Sequence, residues 1–136
     1  MVGKGLDPIF AQGSAPGQSA IAVVRLSGKL PASLYDELKI YEDERSFFLR
    51  EINFGDFADS CLVLNFPAPG SYTGESMLEI HSHGNQLIVA EIFRWLEERG
   101  LREAEPGEFS KRAFLNNKIS LVQAEGVSLG IEAETK

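Results

Sequence analysis

Apolar side chains recur along the chain in two rhythms, one of strands and one of helices. Ala20–Leu26 (AIAVVRL) is almost continuously apolar, as in a strand covered on both faces, and Arg25 is its one charge. Pro8–Gln12 predicts a shorter strand, closed by the turn-rich loop Gly13-Ser14-Ala15-Pro16-Gly17-Gln18. Phe47–Phe54 and Phe57–Phe66 are β-prone runs around Gly55-Asp56 and predict a hairpin. In the second run Cys61, Val63 and Asn65 alternate with Leu62, Leu64 and Phe66, and Cys61 reads as a small core residue. Met77–His83 is a further strand. Its period of two points Leu78 and Ile80 one way and Glu79, His81 and His83 the other.

The helical rhythm is clearest over Asn85–Arg99, where Ile88, Ile92, Trp95 and Leu96 form a stripe opposite Glu91, Arg94 and Glu98, and Gly100 suits the C-terminal cap. Pro31–Ile40 predicts a short helix with Leu34, Leu38 and Ile40 on one side. Glu108–Leu115, after the Pro106-Gly107 turn, predicts another with Phe109, Ala113 and Phe114 inward. Ser120 and Gln123 fit a capping box that opens a last amphipathic helix. That helix runs to Lys136 without a following partner, so the chain is expected to be a segment of a longer protein.

Composition narrows this picture. The 136 residues suffice for one domain plus a fragment of the next, and 43% hydrophobic residues can fill a core. The formal charge of −7 argues against a broad electrostatic grip on nucleic acid, which needs clustered Lys and Arg. Lys111, Arg112 and Lys118 are the one local concentration of positive charge. A single cysteine admits no intrachain disulfide, and no signal peptide or long apolar span is visible, so a cytoplasmic protein away from membranes is expected.

Candidate chemistry centres on the face shared by Glu79, His81 and His83. Two imidazoles and a carboxylate could bracket a metal or work as acid and base, but no further histidine or Cys/His array completes a site, and no metal is expected. The phosphate loop G-x-x-x-x-G-K-[ST] is absent. A ligand needing both a carboxylate and cations remains: a pterin ring offers paired N–H donors to a carboxylate, and a folate's glutamate tail suits Lys or Arg. Arg25 at a strand's end could equally be plain surface.

Three tracts, AIAVVRLSG, SYTGESMLEIHSHGN and PGEFSKRAFLNNKISLVQAE, together resemble the N-terminal domain of the MnmE/TrmE family of tRNA-modification GTPases, in order and spacing from about Asp7 to Glu125. The chain departs from the family pattern at Ala15-Pro16-Gly17, at His83-Gly84-Asn85 and at Pro8. The resemblance implies an α+β two-layer domain, with a mixed or antiparallel sheet and helices on one side, similar to the tetrahydrofolate-binding domain of aminomethyltransferases. It implies residues 1–119 as a folate-binding and dimerisation domain, and 120–136 as the start of a helical domain. The family's folate contacts fall on Arg25, Glu79 and Lys118, with His81 and His83 shaping the same pocket. The implied ligand is 5-formyl-tetrahydrofolate or another one-carbon tetrahydrofolate. GTP, Mg and K belong to the full-length protein, as do the flavoprotein MnmG/GidA and tRNA as partners. The segment itself is expected to form a homodimer and not to be catalytic alone. A folate-dependent one-carbon transferase, and a dimerisation module with a degenerate pocket, stand as alternatives.

Overall fold

The computed structural model describes residues 6–13, 20–120 and 122–123. Strands β1 (Ile9–Gln12) and β2 (Ile21–Ser27) precede helix α1 (Ala32–Leu38), and the hairpin β3 (Ser46–Asn53) and β4 (Ala58–Phe66) follows. Next come β5 (Met77–His83), helix α2 (Gln86–Glu98), the two-residue strand β6 (Arg102–Glu103) and helix α3 (Glu108–Leu115). The strands form one six-stranded sheet in the order β3-β4-β5-β2-β1-β6. Neighbours run antiparallel except β1 and β6, which pair in parallel. The α+β class, the mixed sheet and the β3–β4 hairpin agree with the sequence reading. β6 was not anticipated, because two residues carry no period.

Alternation decides which face each strand buries. Phe10, Val24, Leu26, Ile52, Cys61, Val63, Leu78 and Ile80 join Leu34, Tyr35 and Leu38 of α1 and Ile92, Trp95 and Leu96 of α2 in one core. Helices α1 and α2 therefore cover the same face of the sheet. Phe54 meets Trp95 edge to face at 5.2 Å, tying the hairpin's turn to α2. Asn65 is buried on this side, and its amide donates to the carbonyls of Tyr41, Glu42 and Glu44, pinning the polar break before the hairpin. On α2, Arg94 pairs with Glu91 and Glu98 on the outer side, as the spacing predicts. Asn85 caps the helix by accepting from the Leu87 amide.

Helix α3 departs from expectation. Its inward residues are Ser110, Arg112 and Ala113, while Phe114 is 37% exposed. Arg112 is 2% exposed, so the basic cluster expected from Lys111, Arg112 and Lys118 does not form. The Arg112 guanidinium donates to both Glu75 carboxylate oxygens, to the Asp7 carbonyl and carboxylate, and to Glu108. Glu75 also accepts from the Leu6 amide at 2.8 Å and the Ser27 hydroxyl at 2.7 Å. A buried carboxylate needs such a set of donors, and three separate tracts of the sequence supply it together.

The expected capping box is present: the Gln123 amide donates to Ser120 Oγ and the Ser120 amide to Gln123 Oε1. Val122 and Gln123 are helical. The rest of the helix expected there and the loop after Gly13 lie outside the described residues. Among the described residues no helix is long and apolar enough to cross a membrane.

Candidate functional site

The second face of the sheet carries the polar groups. Register places Arg25 of β2 opposite Glu79 of β5, and Val23 opposite His81, with Leu62 and Leu64 of β4 beyond them. Directly opposed residues share a face, so Arg25, Glu79 and His81 stand together among Val23, Leu62 and Leu64. Arg25 Nε donates to Glu79 Oε2 at 3.0 Å, and His81 Nε2 lies 2.8 Å from Glu79 Oε1. The three side chains are 33%, 17% and 24% exposed in the order Arg25, Glu79, His81, which makes them half-hidden yet open on one side. Burial pushes the Glu79 carboxyl up, but the hydrogen bonds from His81 and Arg25 outweigh it and hold the group below the usual carboxylate value. Glu79 is thus an anion at neutral pH, framed by two donors.

One glycine lets the chain approach this cluster, and a second lets the loop before β5 approach the residues after α3. A Cβ on Gly13 would lie 2.7 Å from Arg25 Nη1, so the bare backbone leaves room for the guanidinium to lie flat. Gly74 has φ +82°, and a Cβ there would meet Asn116 Cβ at 2.9 Å and Lys118 Cγ at 3.3 Å.

Lys118 does not bond to the cluster. Its Nζ donates to the Pro69 carbonyl at 3.2 Å, and it follows α3 beside the loop that leads into β5. Asn116 donates to the Thr73 carbonyl, and Thr73 and Glu75 bond Ser27, two residues along β2 from Arg25. Two strand residues span about 7 Å, so Lys118 belongs to the end of the sheet that carries the Arg25–Glu79 pair. His83 goes elsewhere. Its Nδ1 is 2.7 Å from Asp59 Oδ1 and its amide donates to Asp59 Oδ2, at the far end of β5. Alternation placed His83 on the Glu79 face, but the strand ends there and a buried carboxylate captures the ring. Cys61 is fully buried, and burial pushes its thiol up to about 12, as befits a core residue. Among the described residues no group of three or more His, Cys, Asp or Glu converges as metal ligands would.

The Glu75–Arg112 pair escaped sequence reasoning. The available signal was the recurrence of a Gly-Glu in SYTGES and a PGEFSKR tract with matched charges, but nothing in spacing joins residues 37 apart.

The family description "GTP-binding protein TrmE N-terminus" matches residues 8–118. The chain belongs to this family. It is similar to the tRNA modification GTPase MnmE of Phenylobacterium zucineum, 45% identical over 133 residues, covering 96% of this chain and 30% of that protein. The MnmE of Paramagnetospirillum magneticum is 45% identical over 134 residues, with 95% and 30% covered. That of Coxiella burnetii is 37% identical over 132 residues, with 96% and 29% covered. The chain therefore spans about 30% of the length of the curated relatives it matches. The TrmE N-terminal match holds every strand and helix named above, together with Arg25, Glu79, His81 and Lys118.

Proposed function

We propose that this TrmE N-terminal domain binds a one-carbon tetrahydrofolate, such as 5-formyl-tetrahydrofolate, and forms a homodimer within a GTPase that modifies the wobble uridine of tRNA. The observation that carries the folate reading is the ionised Glu79 held between Arg25 and His81, with Val23, Leu62 and Leu64 as apolar neighbours on the same face. A pterin ring presents adjacent N–H and amino donors that a carboxylate accepts in pairs, and its flat body suits apolar neighbours. Arg25 has further N–H donors for an acceptor on the ligand, and Lys118 offers a cation for its anionic tail. The likeness to aminomethyltransferase folate domains belongs to the same reading.

Dimerisation draws on a different observation. On the Glu79 face Phe47 and Leu49 are 69% and 68% exposed, and Ile21 is 55% exposed. Large apolar side chains left open across one sheet are the usual mark of an association surface. GTP with Mg and K, the flavoprotein MnmG/GidA, the tRNA and a cytoplasmic location are assigned to the full-length protein, of which this chain is the size of a fraction.

Calorimetric titration with 5-formyl-tetrahydrofolate, on wild type and Glu79→Ala, tests the folate reading. Saturable binding that the variant loses supports it. A folded dimer that binds nothing refutes it and leaves a dimerisation module with a degenerate pocket. Turnover of a methylene-tetrahydrofolate would instead make the domain a one-carbon transferase in its own right. Sedimentation velocity on Phe47→Asp tests the surface: a shift to monomer is expected, and an unchanged dimer refutes that face.

A further inference from the structure

His81 has so far been given no role beyond helping to frame the pocket, yet it makes the shortest contact to Glu79 in the cluster, 2.8 Å against 3.0 Å for Arg25. The two donors reach the carboxylate from different directions. Arg25 comes across the sheet from the register partner on β2, and His81 comes along β5 from two residues away. They also take different oxygens, Arg25 on Oε2 and His81 on Oε1. A carboxylate held at one oxygen still turns about its terminal torsion, which is broad and roughly two-fold in glutamate. Held at both oxygens from two directions, its plane is fixed. Each oxygen keeps a further lone pair, because an ionised carboxylate offers about four acceptor sites.

The geometry points to His81 as the positioning residue of the site: its Nε2–H, in the Nε2-protonated tautomer, fixes the plane of the Glu79 carboxylate so that both oxygens receive the ligand's paired donors together. The tautomer follows from the partner, since an ionised carboxylate can only accept and Nε2 must therefore carry the proton. His83, on the same strand, cannot substitute, because its ring is bound to Asp59. The inference rests on the folate reading for the identity of the ligand, but not for the contact itself.

Two substitutions separate the roles. His81→Leu keeps bulk and removes the donor; His81→Gln places an amide N–H close to where Nε2 stood. In the ligand-free protein, carbon-detected NMR of the Glu79 carboxyl should give a higher titration midpoint in His81→Leu than in wild type, with His81→Gln in between or at wild type. Affinity for 5-formyl-tetrahydrofolate should fall about tenfold in His81→Leu, the scale of one hydrogen bond to a charged group, and return in His81→Gln. Imidazole nitrogen shifts of wild type at pH 8 should show Nε2 protonated, a reading that needs no variant.

A ring that lacks the Nε2 proton, or a His81→Leu that leaves both the Glu79 midpoint and the affinity unchanged, overturns the assignment. Equal loss in Leu and Gln also overturns it, since that marks packing and not donation. If wild type binds no folate while the Glu79 midpoint still moves, the folate reading fails and the positioning role of His81 stands.

Discussion

Replacing Arg112 with methionine removes the one cation that, among the described residues, pairs with Glu75, a carboxylate 1% exposed. Glu75 would keep the Leu6 amide and the Ser27 hydroxyl, both within 2.8 Å, but these neutral donors do not offset a buried charge. Breaking one side of a buried pair costs about 3–5 kcal/mol. Arg112 also ties α3 to Asp7 and pairs with Glu108 within the helix, but Asp7 is 57% exposed and its pair with Arg112 adds little. A domain of this size loses about 3–5 °C in Tm per kcal/mol, so a drop of roughly 10–25 °C is expected by circular dichroism. The double variant Arg112→Met with Glu75→Leu separates charge from packing. With no charge left buried it should recover part of the loss. A single variant within 3 °C of wild type, or a double variant as unstable as the sum of its parts, would show that the network does not hold this corner of the fold.

Gly13→Ala should leave stability within about 1 kcal/mol, because its φ is ordinary, while pushing the Arg25 guanidinium away and weakening folate binding about tenfold; unchanged affinity by calorimetry counts against the Arg25–Glu79 geometry. Glu108 is held down to about 2, first by its hydrogen bond from Arg102. A depressed carboxylate stabilises the fold above its unfolded value near 4.5 and loses that stabilisation as pH falls toward 2, so Tm should decline through that window, and less steeply in Glu108→Gln. Cys61 should react with iodoacetamide at pH 8 far more slowly in the native protein than in urea, because burial pushes its thiol up to about 12; equal rates would mean an open core.

Strand alternation alone put Glu79 and His81 on one surface, and the register of β2 against β5 supplied what no sequence period can, the placement of Arg25 directly opposite. The hairpin, α1 and α2 were legible for the same reason, since each repeats its pattern over seven or more residues. Arg112 misled because charge near charge reads as a solvated patch. Its distant partners are Asp7 and Glu75, and only the closed fold brings them in. Phe114 misled in the opposite sense: α3 is eight residues long, and turning its polar side inward toward Glu75 leaves this ring outside. His83 obeyed the alternation of its strand until the strand stopped, and then Asp59, 24 residues earlier, decided its direction.

The stitch between Asp7 and Arg112 also sets an order of events. It spans 105 residues, whereas Glu51 and Ser60 in the hairpin are 9 apart. Closing the longer loop carries an added entropy penalty of about 2 kcal/mol by the logarithmic law. Contacts of such separation form late, after local ones have shortened the effective loop. On the ribosome the consequence is sharper. Glu75 is made well before Arg112, so the carboxylate lacks its Arg112 partner until α3 has left the exit tunnel. Until then this corner has the β1–β2 pairing and the Ser27 bonds to Thr73 and Glu75, but not the Arg112 clamp. A nascent chain stopped short of α3 should hold a protease-sensitive corner around Leu6 and Glu75, while its β3–β4 hairpin is already protected.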